Sequence, residues 1–219
     1  DIDALVVKDI FSKLTHCYPS ATKNADATSL AIRHSIGRRT VAMAYSDGSG
    51  ELRLACEQLC ITREKSQTGV AKTNAIIERA NQDVLSMTRT ALVAAGLPAC
   101  YWPYAVRAFC FNCTIEINKK DSIYNKQLGL GNFPGQRIPF GAEVGFKPSP
   151  LTKEKHAAPE PDTPLGVFCG YDRDLGGKWS GRYSVVSLTA FVSVPSTRNL
   201  SGSRPKVPFQ KACELLPVV

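Results

Sequence analysis

The feature that most restricts the fold is the order of the periodicities. Two strand-like runs come first, and helical spacing follows. Leu5-Val6-Val7 reads as a buried strand, Asp9-Ile10-Phe11-Ser12 as a turn, and Leu14 to Tyr18 as an antiparallel partner ending at Pro19. Asn24 to Ser35 then has helical spacing, with Ala27, Leu30, Ala31 and His34 on one face and Gly37 as its stop. Val41 to Tyr45 is a third strand, Leu52 to Leu59 a short helix and Ile61-Thr62 a brief strand. A long helix follows from Asn74, a residue suited to the N-cap, to Ala95, and another from Tyr101 to Ile117. An antiparallel opening followed by alternating strands and helices predicts a mixed α/β layer, not a bundle.

Composition shifts near residue 120. Residues 121–138 are rich in Gly and Asn and read as a linker. Residues 139–195 read as short strands with turn signals between them, which predicts a small β-barrel. Its expected core is Val144, Phe146, Val167, Phe168, Tyr171, Tyr183, Val185 and Leu188. Residues 196–219 are rich in Ser, Pro and basic groups and read as a flexible basic tail.

The 27 Lys and Arg against 19 Asp and Glu leave a net charge of +8. A dispersed positive excess suits a polyanion, because neutralising phosphates releases condensed counterions. No secretory signal or membrane-length apolar run is present, so a nuclear or cytoplasmic protein without a membrane partner is expected. The chain has no initiator Met and reads as cut from something longer. The eight cysteines include Cys56 and Cys60, and Cys110 and Cys113. Both pairs fall in helix-patterned apolar stretches far from any His, which favours buried free thiols over zinc.

Two carboxylates are placed where chemistry is possible. Asp47 follows the third strand, at an edge where open α/β sheets keep their sites. Glu78 lies in the first turn of the long helix, where the backbone dipole favours a negative charge. From spacing alone the plainer reading is stronger for each: Asp47 as a turn former, Glu78 as a helix-start charge.

The words around them add to this. Tyr45-Ser46-Asp47-Gly48-Ser49-Gly50-Glu51-Leu52 resembles the second-aspartate motif of copia-type retroelement integrases. Ser66, twelve positions before Glu78, and Thr73-Asn74-Ala75-Ile76-Ile77-Glu78-Arg79 resemble their glutamate motif. Ala95-Gly96-Leu97-Pro98, Tyr101-Trp102 and Ala105 resemble the positions that follow. Phe140-Gly141-Ala142-Glu143-Val144 and Gly166-Val167-Phe168-Cys169-Gly170-Tyr171 resemble signatures of the SH3-like small barrel behind that core. The resemblance spans roughly residues 4 to 194.

It implies a ribonuclease-H-like integrase core over residues 1–120, a mixed sheet with helices, followed by an SH3-like β-barrel over 139–195. It implies DNA strand transfer, with Asp47 and Glu78 as catalytic carboxylates holding Mg²⁺ or Mn²⁺. Such chemistry must stabilise an attacking and a leaving oxygen, which two metal ions do together. DNA, both element ends and target, is the implied partner, contacted by Lys72, Asn74, Arg79 and Arg89, with a homo-oligomer as a further expectation. The family's first aspartate precedes the Asp9 turn by a whole strand, so it is expected upstream of residue 1, and Asp9 is expected to cap its turn. Two further readings stand beside this one: a degenerate remnant that binds nucleic acid without catalysis, and a ribonuclease-H-like nuclease.

Overall fold

The computed structural model describes residues 3–66, 74–118, 120–147, 163–192 and 208–217. Strand β1 (Asp3–Lys8) pairs antiparallel with β2 (Thr15–Ser20), in a register that sets Ala4 against Pro19 and Val7 against His16. Asp9 closes the turn between them: its carboxylate accepts from the Phe11 N–H at 2.9 Å and from the Ser12 hydroxyl at 2.9 Å. Helix α1 (Ala25–Ile36) begins where the Asn24 side chain accepts from the Ala27 N–H at 2.8 Å, and Gly37 caps its other end. Its predicted face is partly wrong. Leu30 is 69 % exposed, whereas Thr28 and Ser35 are buried. Helical periodicity locates a stripe, but the neighbours decide which side is covered.

Strand β3 (Ala44–Ser46), helix α2 (Gly50–Gln58) and strand β4 (Arg63–Lys65) follow, with β3 and β4 parallel. The antiparallel and parallel pairs share no hydrogen-bonded neighbour among the described residues. The long helix α3 (Ala75–Ala95) ends at Gly96, which adopts the left-handed conformation. Asn74 stands at its N-cap position, but its side chain makes no capping bond. The buried stripe of α3 is Ala80, Val84, Thr88 and Leu92.

Helix α4 (Trp102–Ile115) is the hub of the molecule. Its buried residues run around much of its circumference because it packs against α3, β2 and the C-terminal sheet. Two-residue strands β5 (Ile117–Asn118) and β6 (Asp121–Ser122) then lead into helix α5 (Ile123–Leu128). Thus the stretch that composition marks as a linker contains a helix, and it buries Tyr124 and Ile138.

The C-terminal sheet is built from β7 (Glu143–Phe146), β8 (Leu165–Arg173), β9 (Trp179–Ser187), β10 (Phe209–Ala212) and β11 (Leu215–Pro217). It is antiparallel, curled, and ordered β10-β9-β8-β7-β11. Helix α6 (Leu188–Val192) follows β9. Both edge strands come from residues 209–217, which composition assigns to a flexible tail. Ala212 and Leu215 are buried in the core, and that burial outweighs the polar context of the segment.

Every residue of the expected barrel core is buried except Leu188, which is partly buried in α6. That core is not separate, however. One apolar cluster joins Phe111 and Ile115 of α4, Tyr124 of α5 and Phe146, Phe168, Tyr183 and Leu215 of the sheet. Gly141 shows how close the approach is. At φ +82°, an added Cβ there would meet the Ala95 Cβ at 2.2 Å. All eight cysteines are free; Cys17, Cys56, Cys110 and Cys169 are buried, whereas Cys60 and Cys213 are exposed.

Candidate functional site

Parallel pairing of β3 with β4 brings Ser66 beside the strand end that leads to Asp47. The Ala44 N–H donates to the Thr62 carbonyl at 2.8 Å, and the Ser66 N–H donates to the Ser46 carbonyl at 2.9 Å. Ser46, which precedes Asp47, and Ser66, which opens the Glu78 motif, are therefore bonded across adjacent strand ends. Asp47 follows β3 directly and is exposed. Its Oδ1 accepts from the Ser49 N–H at 3.1 Å and tightens the turn into α2.

Two basic residues at this edge carry no signal in the sequence motifs. The Arg63 Nε donates to the Ser46 hydroxyl at 2.6 Å, and its Nη2 donates to the Asp47 carbonyl. Arg63 thus clamps the backbone on which Asp47 sits. Lys65 lies over Gly48: a Cβ at Gly48 would meet the Lys65 Cε at 2.8 Å and its Nζ at 3.4 Å. Only strand pairing sets these two cations beside Asp47, so sequence spacing alone could not identify them.

Glu78 is exposed in the first turn of α3, and its N–H donates to the Asn74 carbonyl at 3.1 Å. Asn74 Oδ1 is buried and has no hydrogen-bond partner among the described residues. Arg79 and Arg89 are exposed along α3, without an ion-pair partner among the described residues. Lys72 lies outside the described residues. Lys23 reaches half-buried Glu51 of α2 at 3.4 Å and exposed Asp3 of β1 at 3.9 Å, and solvent screening keeps both ties weak. Among the described residues no group of three or more His, Cys, Asp or Glu is placed to hold a metal ion. No helix among them is long and apolar enough to cross a membrane.

No protein-family profile and no curated protein matches the sequence. Among solved structures, the chain is similar to the catalytic core domain of BIV integrase, with 18 % identity and a TM-score of 0.44 over 57 % of this chain and 84 % of that one. It is also similar to a chain of the simian T-cell lymphotropic virus intasome in complex with the PP2A regulatory subunit B56 gamma. That match has 12 % identity and a TM-score of 0.44, over 99 % of this chain and 77 % of the other.

Proposed function

We propose that this chain is the distal part of a retroelement integrase core of the copia type, with a ribonuclease-H-like arrangement of strands and helices and an SH3-like sheet behind it. The observation that carries the reading is the bond between Ser66 and Ser46. It sets Ser66, the first residue of the Glu78 motif, beside the strand end that leads to Asp47, which supports the reading.

Asp47 and Glu78 are the carboxylates that would hold Mg²⁺ or Mn²⁺. Both are exposed, and hard oxygen donors of this kind suit such ions. Bound there, a divalent ion would stabilise charge on a phosphodiester oxygen. Arg63 fixes the Asp47 backbone, and Lys65 offers a positive charge to a neighbouring phosphate. Two carboxylates favour one ion over a bridged pair, so this chain by itself binds DNA without joining it. Losing the alignment of the attacking hydroxyl costs orders of magnitude in rate.

DNA binding is expected with little sequence preference and marked salt sensitivity, with contacts from Arg79, Arg89, Lys72 and Asn74. About four to six phosphate contacts give a log–log salt slope near −4 to −5. Fluorescence anisotropy on two unrelated duplexes across a salt series measures it. An affinity that does not change between low and physiological salt would refute the electrostatic reading.

Strand-transfer assays with Mg²⁺ or Mn²⁺ are expected to yield no joined product from this chain. Calorimetry should still detect Mn²⁺ binding that Asp47→Asn and Glu78→Gln each weaken. Metal-dependent joining that Asp47→Asn abolishes would overturn the inactivity. Mn²⁺ binding indifferent to both substitutions would overturn the site.

A further inference from the structure

Arg173, the last residue of β8, is a cation without a counter-ion. Its side chain is half-buried, and its Nη1 is fully buried with no hydrogen-bond partner among the described residues. The neighbouring carboxylates do not serve it. Asp172 is held by Lys211 at 2.7 Å and Arg182 at 3.0 Å, and Asp174 makes no ion pair among the described residues. The guanidinium faces α4 instead, where its Cζ stands 6.0 Å from the centre of the Phe111 ring.

A second unpaired cation stands beside it. Arg107 lies one turn before Phe111 on the same face of α4, is exposed, and makes no ion pair among the described residues. Its charge is felt at Cys17 and Tyr18 of β2 and at His34 of α1, the same groups that feel Arg173. Nothing in this recess balances the two charges. The Tyr18 hydroxyl is engaged by the His16 and His34 Nδ1 atoms, each at 3.1 Å. Burial pushes the Cys17 thiol up to about 11 and raises that of Cys110 as well, so both stay neutral near neutral pH. A buried charge without a partner is costly. A water molecule could accept the Nη1 proton, but it would leave the charge.

We infer that Arg173 and Arg107 together bind one inorganic phosphate ion in the recess between α4, β2 and the end of β8. A guanidinium presents parallel N–H groups in a planar fork, which matches two oxygens of a tetrahedral oxyanion and which a chloride cannot span. Charge and shape favour the free ion over a nucleic-acid phosphate. Inorganic phosphate is partly a dianion near neutral pH and faces two cations. A phosphodiester carries a single charge and two ester arms, which a recess closed around Nη1 would have to let out. None of these residues belongs to the edge that carries Asp47, so the inference stands apart from the strand-transfer reading.

The test follows the Nε–H resonances of Arg173 and Arg107 in the full chain during titration with sodium phosphate near neutral pH, with sodium chloride holding the ionic strength constant. Saturable movement of these two signals is expected, with the other arginine signals still. Arg107→Gln, an exposed substitution, should weaken binding about 10-fold, the worth of one charge-assisted hydrogen bond. Arg173→Gln should remove it. Urea denaturation without phosphate shows whether that variant folds, and where it does not, Arg107→Gln decides. No saturable movement up to on the order of 50 mM, beyond the weak end of specific binding, overturns the inference. So does an affinity unchanged in Arg107→Gln, or movement that sodium chloride alone reproduces. Displacement of the phosphate by duplex DNA would give the recess to a nucleic-acid phosphate and overturn the free ion as its occupant.

Discussion

Lowering the pH from 7 to 4.5 is expected to remove about 3 kcal/mol of folding stability through His16 alone. His16 is 1 % exposed on β2, in the seam between α1 and the β8–β9 turn. Its Nδ1 lies 3.0 Å from the Ser35 hydroxyl and 3.1 Å from the Tyr18 hydroxyl, which in turn lies 3.1 Å from the His34 Nδ1. On its far side the backbone of Gly177 is so near that an added Cβ would stand 2.8 Å from Nε2. Burial pushes its pKa down from 6.5 to about 3, and the charges of Arg173, His34 and Arg39 push in the same direction. His34 is lowered too, by burial first and Arg173 next, with a backbone hydrogen bond to Arg173 acting the other way.

The direction follows from proton counting. Below pH 6.5 the unfolded chain takes up a proton at His16 that the folded chain refuses. Stability is therefore complete above about 6.5 and falls as the pH drops toward about 3. The lowered carboxyls of Asp9 and Asp172 contribute their own loss only at more acid pH, so the window from 6.5 to 4.5 belongs to the histidines. A loss of that size is a large fraction of a typical stability of about 5–15 kcal/mol. Urea denaturation at a series of pH values measures it, and His16→Asn should flatten most of the slope. Equal stability at pH 7 and 4.5, or the same slope in the variant, would show that His16 is not the group responsible.

Phe111→Ala is expected to cost about 3–5 kcal/mol and to loosen both halves of the molecule together. Phe111 is 1 % exposed on α4 and sits at the junction of the two halves. Its ring lies 4.6 Å from that of Tyr171 on β8, 5.5 Å from Phe133 and 6.2 Å from Tyr124. The Arg173 guanidinium, whose buried Nη1 has no hydrogen-bond partner among the described residues, stands 6.0 Å from the ring centroid. Truncation leaves a cavity that helix and sheet, each held by other contacts, close only in part. It also strips the aromatic face from a partly buried cation. Far-ultraviolet dichroism and Trp179 fluorescence should move in one coincident transition at lower urea. A cost below about 1 kcal/mol, or unfolding of the sheet while the helices persist, would contradict a shared core.

Much of this architecture was legible in the sequence, for local reasons. Asn24 and Gly96 announce helix ends because capping and the left-handed conformation depend on a few adjacent residues. The short runs 142–146, 166–171 and 182–186 read as strands because turn residues set them off, and β7, β8 and β9 form there. The Asp9 turn likewise follows from a side chain reaching its own backbone. The two carboxylates of the candidate site are placed by the same local logic, one at a strand end and one in a first helical turn.

What the sequence did not hold is what depends on distant partners. Residues 209–217 look like tail because their few apolar groups mean nothing until β7 and β9 offer unpaired edges. Leu30 matches the helical stripe of α1 but points away from the covering elements. Arg63 reaches Asp47, and Lys65 reaches Gly48, only through the parallel pairing of β3 with β4. A barrel and a core with a linker between them are what composition suggests. Only the packed structure makes α4 common to both, because hydrophobic burial has no direction along the chain and takes its surface from whichever elements meet.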